Sequence, residues 1–315
     1  MIKIFSSKTH WFVALILAAA LFFGFASCSS DSDDDDDDDS SSSSTTYATL
    51  PSSVGTNELS GKSWTYTSSS GNSKETWIFN SDGSATFTEN GNDDGETFTQ
   101  VRTYNYTYNS NSKLVYLGLK SFSNSSNNVS YSSVAEAKTL MVNYGLSGDE
   151  LEIEVAEVAL EFATKLVFRY DIDSTAKTLE LIHYFDGELP TAVEMDYVAS
   201  DSSSGSYTYT EIELEDGGIE IYSSSSSSSG KYCLYPTYSN GSFSGTLFQK
   251  SSGYTSLGTA AGTYTTSGTG TTGSSVTLTF TTLPSSFTVL SANTAYKLEQ
   301  GEYENKFRFT YTLQQ

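Results

Sequence analysis

The chain has 315 residues, a formal charge of −22 at pH 7 and only two cysteines. Such acidity argues against a nucleic-acid partner, which needs a basic face for phosphate, and favours cationic or neutral ligands. Abundant Ser and Thr with 22 Tyr and 18 Phe suits pleated, half-buried sheet.

Lys3 and Lys8 precede an apolar run from Trp11 to Phe25, and Ala26-Ser27-Cys28 follows it. As a helix that run spans about 22 Å, short of a ~30 Å hydrocarbon core. Basic residues before it and small residues after it predict a cleaved secretory signal over 1–27 rather than a retained transmembrane helix. Phe25-Ala26-Ser27-Cys28 resembles the lipobox of bacterial lipoproteins. The resemblance implies that Cys28 becomes the mature N-terminus and carries a diacylglycerol and palmitate. It also implies a cell-envelope protein anchored to the outer membrane, on its periplasmic or exposed face. An ordinary soluble secreted protein is the alternative. With Lys3 and Lys8 removed, the charge of −22 becomes −24.

Residues 28–56 are mainly Ser, Asp and Thr, with eight Asp between Asp31 and Asp39. This composition predicts a disordered, charge-extended tether reaching about 30 Å on average. In some surface lipoproteins acidic residues after the Cys act as an export signal, and this stretch resembles them. A plain spacer that repels anionic lipid is the competing reading. The Asp run lacks the glycine turn and mixed ligand spacing of a calcium loop, so no metal site is expected there.

The first folded block is expected over 57–198. Strands are predicted at Leu59–Thr67, Lys74–Phe79, Ala85–Thr88, Phe98–Tyr108 and Lys113–Leu119, with Asp82-Gly83 in a hairpin turn. Ser133-Val134-Ala135-Glu136 and Ser147-Gly148-Asp149-Glu150 both have capping-box spacing, so two short helices are predicted near 132–163. Strands resume at Lys165–Tyr170 and Thr178–Phe185, and Ala192–Val198 is expected to close the sheet. Gly61 and Trp64 by the first strand, followed by Glu75-Thr76-Trp77-Ile78-Phe79-Asn80-Ser81-Asp82-Gly83-Ser84, resemble the lipocalin-like domains of exported bacterial lipoproteins. The resemblance implies an eight-stranded antiparallel barrel able to hold one small ligand in its mouth.

A second β-rich domain is expected over 205–315. Its strands are predicted at Tyr207–Leu214, Gly218–Tyr222, Lys231–Tyr235, Gly245–Gln249, Gly262–Thr266, Ser275–Thr281 and Phe307–Leu313. One continuous large β structure is the alternative. The fold class is therefore mainly β: a lipocalin-like antiparallel barrel with a helical insert, then a second antiparallel β domain.

If Cys28 is lipidated, Cys233 has no intrachain partner and is expected to be a small buried hydrophobe in a strand, the alternative being a bond to another chain. His183 is the single histidine beyond the signal and alternates with Leu181 and Phe185, which predicts a structural role. Neither a metal cluster, a nucleophile elbow nor a nucleotide motif is legible, so no catalytic residue, cofactor or metal is expected. Tyr104, Tyr106 and Tyr108 share one strand face. Facing inward they line a barrel or fill its core, and facing outward they make an adhesive or glycan-stacking strip. The function expected is an exported, lipid-anchored, non-catalytic binding protein whose barrel holds a small hydrophobic or amphipathic ligand. The alternative is a surface adhesion or structural lipoprotein contacting proteins or glycans.

Overall fold

A computed structural model describes residues 44–314, apart from 56, 69–70, 72, 94–95, 203–205, 227 and 302–307. The expected signal segment, Cys28 and the Asp run lie outside the described residues. In chain order the strands are β1 (Lys62–Thr67), β2 (Ser73–Phe79), β3 (Ser84–Asp93), β4 (Glu96–Asn109), β5 (Leu114–Asn124) and β6 (Val129–Tyr131). Helices α1 (Val134–Asn143) and α2 (Gly148–Ala163) follow, then β7 (Lys165–Asp173) and β8 (Thr178–His183). The rest are β9 (Glu194–Asp201), β10 (Thr208–Glu215), β11 (Gly218–Ser225), β12 (Ser229–Leu234), β13 (Thr237–Ser239) and β14 (Ser242–Lys250). They continue with β15 (Tyr254–Ser267), β16 (Ser275–Thr282), β17 (Ala295–Glu299) and β18 (Arg308–Leu313).

Among the described residues these strands form two closed antiparallel barrels of eight strands each. The first runs β1-β2-β3-β4-β5-β7-β8-β18 and closes where β18 pairs with β1. The second runs β9-β10-β11-β12-β14-β15-β16-β17 and closes where β17 pairs with β9. Short β6 and β13 attach to β5 and β14. The fold class is the one expected: mainly β, with a lipocalin-like barrel, a helical insert and a second β domain.

The path of the chain differs from the expected 57–198 and 205–315 division in two places. Ala192–Val198 does not close the first barrel; β9 pairs with β10 over eight residues, and Met195 is buried in the second core. Phe307–Leu313 does not belong to the second barrel; β18 lies between β1 and β8, with Leu313 opposite Trp64 and Tyr311 opposite Leu179. Both strands alternate apolar and polar residues, and alternation alone fits either core. The second barrel is thus inserted between β8 and β18 of the first.

The tether also ends earlier than position 56. Val54 bridges Asn109, and the Val54 amide donates to the Tyr108 carbonyl at 2.9 Å. The Ala48 amide donates to the Phe162 carbonyl at 2.9 Å, and the Tyr47 ring meets Phe162 edge-on at 5.6 Å. A few apolar and backbone groups suffice to lay this stretch along the barrel.

Local signals act where chemistry demands them. Gly83 has φ +84°, and the Asp82 carboxylate accepts from the Ser84 amide at 2.9 Å, which makes the β2–β3 turn tight. Ser133 caps α1 by accepting from the Glu136 amide at 3.2 Å. The Glu136 carboxylate reaches back to the Ser132 amide at 2.7 Å, one residue short of a full capping box. Ser147 precedes α2 with extended backbone but makes no side-chain cap bond, unlike the second box expected from its spacing.

The two cores are distinct. Ile212, Leu214, Ile219, Ile221, Leu247, Leu278 and Leu298 are fully buried in the second core, with Phe243, Phe280, Phe287 and Tyr296 among them. The first core is ring-rich: Trp64, Trp77, Phe79, Tyr104, Tyr106, Phe168 and Tyr170. Helix α2 lies between the barrels. Leu151, Val155, Val158 and Phe162 pack on the first core, while Ile153 packs on Cys233 and Phe248 on the outside of the second. The Asp149 carboxylate accepts from the Ser256 amide at 2.9 Å, and Thr246 donates to Glu152 at 2.7 Å. Cys233 is buried, as expected, and burial pushes its thiol up to about 12.

Candidate functional site

Strand register sets the lining of the first barrel. Trp64, Trp77, Phe87, Arg102 and Phe122 are successive partners across β1–β5 and form one inward layer. Two residues nearer one end, the inward positions turn polar: Glu75, Glu89, Gln100 and Asn124. In the opposite direction Tyr104, Tyr106 and Tyr108 step down β4. The bulge between Thr103 and Tyr104 in the β4–β5 pairing falls at this change of character.

The polar end opens into a chamber of about 460 Å³, within the range typical of small-molecule sites. The first barrel contributes Trp77, Phe87, Tyr104, Phe122, Phe168, Phe309 and Tyr311. Helix α2 contributes Glu154, Glu157 and Glu161, which follow at spacings of three and four along one face. The outer surface of the second barrel contributes Glu213, Glu220, Tyr222, Lys231, Tyr235, Lys250 and Tyr254. The chamber is therefore built by both barrels and by the helix between them.

Nine carboxylates and three cationic side chains line it among the described residues. Arg102 sits 5.3 Å from the Phe122 ring centroid, with its Nε 3.9 Å from Glu161. Lys231 Nζ donates to Glu220 at 2.7 Å and to the Tyr222 hydroxyl at 2.8 Å, and Tyr222 donates to Glu220. Glu75 accepts from the Tyr311 hydroxyl at 3.0 Å.

This environment is hostile to ionised carboxyls. Burial, then repulsion from Glu157 and Glu150, pushes Glu154 up to about 8. Burial, then Glu215 and Glu220, pushes Glu213 up to about 7. Burial also raises Glu75 and Glu161, the latter against the pull of Arg102. Burial lowers Lys250, and neighbouring Lys231 adds to that. Glu213 also stands with Glu194 and Asp196, with carboxylate oxygens within 4.8 Å of one another.

The three tyrosines singled out in the sequence part company. Tyr104 is buried and lines the chamber. Tyr106 donates to the Asn80 carbonyl at 2.8 Å and accepts from Asn57 at 2.6 Å, which ties it to the far end of the barrel. Tyr108 donates to the Gly55 carbonyl at 2.8 Å and pins the segment before β1. His183 lies behind the lining. Its Nδ1 is 3.1 Å from the Ala192 carbonyl, and its ring meets Phe168 at 4.7 Å and Phe309 at 6.0 Å. Burial lowers its pKa to about 4, so it is neutral at physiological pH.

Sequence reasoning missed the acidic half of the chamber. Carboxylates three and four apart on α2 were the available signal for Glu154, Glu157 and Glu161. Glu213, Glu220, Lys231 and Lys250 gave none, because an outward-facing charge on a strand reads as solvated surface. No family model, curated protein or solved structure matches the chain.

Proposed function

We propose that this is an exported, lipid-anchored binding protein without catalytic activity, whose inter-barrel chamber holds a small amphipathic ligand. The observation that carries the reading is the chamber at the polar end of the first barrel, about 460 Å³ in volume and lined by the rings of Trp77, Phe87, Tyr104, Phe122 and Phe168. Rings with polar groups at one end suit a ligand that is apolar on one side and polar on the other. A non-catalytic role fits a neutral His183 held behind the lining by the Ala192 carbonyl. Export and anchoring at the outer membrane rest on Lys3, Lys8, the apolar run and Cys28.

Native mass spectrometry of the lipid-free protein purified from its own host is the direct test of binding. A co-purified small molecule that is lost on Trp77→Ala supports it. A protein that leaves its host without ligand, with Trp77 emission unmoved by any amphiphile, returns the reading to surface adhesion. The anchor is tested by labelled palmitate, which enters wild type and not Cys28→Ala.

A further inference from the structure

We infer that the chamber recognises an organic cation: an ammonium group seated at Glu154 and Glu157, carried on an aromatic or aliphatic body that rests on the chamber's rings. The inference deepens the binding reading above and rests on it.

Glu154 is the starting point. It is 8% exposed, lines the chamber, and its carboxylate has no hydrogen bond or ion pair among the described residues. A buried carboxylate ordinarily has a partner, because removing it from water is costly. The groups facing it are Glu150 and Glu157 on its own helix, Lys250 on β14, Tyr254 on β15 and Tyr131 on β6. Of the other cationic groups in the lining, Arg102 is near Glu161 and Lys231 is bonded to Glu220. The site thus has a surplus of acceptors and negative charge at its wall. An anion would meet that surplus, and a neutral molecule would leave the Glu154 carboxyl protonated, with nothing gained by ionising it. An ammonium donates to Glu154 directly, and its positive charge is also favoured by Tyr and Trp faces.

The proton balance gives the inference its own signature. With Glu154 at about 8, the carboxyl is largely protonated at pH 7. An arriving ammonium favours the ionised form, so the carboxyl proton leaves to solvent as the ammonium N–H takes its place. A neutral ligand releases none.

The test is calorimetric titration of the lipid-free mature chain at pH 7, in two buffers of different ionisation enthalpy. The probes are tryptamine, its neutral isostere tryptophol, and anionic indole-3-acetate. The expected result is tryptamine tighter than tryptophol by about tenfold, with indole-3-acetate weakest and tryptamine releasing a proton. Glu154→Gln narrows the tryptamine-to-tryptophol ratio about tenfold and abolishes the release. Where that variant fails to fold, Glu157→Gln reads the same ratio. Equal affinity for tryptamine and tryptophol, unmoved by either variant, overturns the cation assignment and leaves the chamber a binding site. Failure of all three probes also overturns it, and the native mass spectrum then decides the binding reading separately.

Discussion

At the scale of single residues, two buried titratable groups pull the stability of the protein in opposite directions. His183 falls to about 4 from 6.5, so its contribution is complete above pH 6.5 and is lost as pH falls towards 4. Glu154 rises from 4.5 to about 8, so the folded state holds a proton that the unfolded state gives up. Its contribution is complete below pH 4.5 and is lost as pH rises through 8. Between pH 4.5 and 6.5 the His183 slope offsets only part of those of Glu154 and Glu213, and above 6.5 the carboxyl slopes act without it. Wild-type Tm should therefore decline across both windows. Glu154→Gln removes a penalty on the order of 4 kcal/mol, shared with Glu157 and Glu150. Its Tm should exceed wild type by several degrees at pH 8.5 and converge with it near pH 5. Glu213, at about 7, leaves a smaller decline in the variant. Parallel wild-type and variant melting profiles across this range would show that Glu154 is not the source.

At the scale of elements, the junction between barrels depends on the start of β7. The Lys165 side chain is 8% exposed and bonds Asp186 and Glu188, each at 2.6 Å, in the segment leading to β9. The Lys165 backbone bonds the same segment through Pro190 and Ala192. Lys165→Met leaves Asp186 buried without its cation, which should cost about 3–5 kcal/mol and appear as an earlier denaturant midpoint. A variant within about 1 kcal/mol of wild type would mean that water replaces the ammonium. The local elements were legible in the sequence because period-2 alternation, Asp82-Gly83 and Ser133…Glu136 are local signals. Partnership was not. Phe309, Tyr311 and Leu313 alternate as well for one barrel as for the other, and only closure with Trp64 and Leu179 assigns them. Of the chamber, Tyr104 was legible as one of a stripe of rings whose facing the sequence left open, whereas Glu213 and Lys231 gain meaning only when α2 covers their side of the second barrel.

At the scale of the whole molecule, Trp64 and Trp77 both lie in the first barrel, and the third tryptophan, Trp11, lies in the N-terminal apolar run. Ending the chain after residue 301 removes β18 and opens the first barrel between β1 and β8. Indole emission should then shift to that of solvated tryptophan, while the second barrel keeps its own cooperative transition in tyrosine near-ultraviolet dichroism. Unshifted emission would mean that seven strands hold the first core without the eighth. The insertion also fixes an order of events for a chain that emerges from its N-terminus. Strands β9–β17 are contiguous and can zip up by themselves, but β1 and β8 wait for a strand that comes after all of them. The second barrel's side of the chamber can therefore form before the barrel that opens onto it, and the chamber is complete only once β18, the last described strand, has docked between β1 and β8.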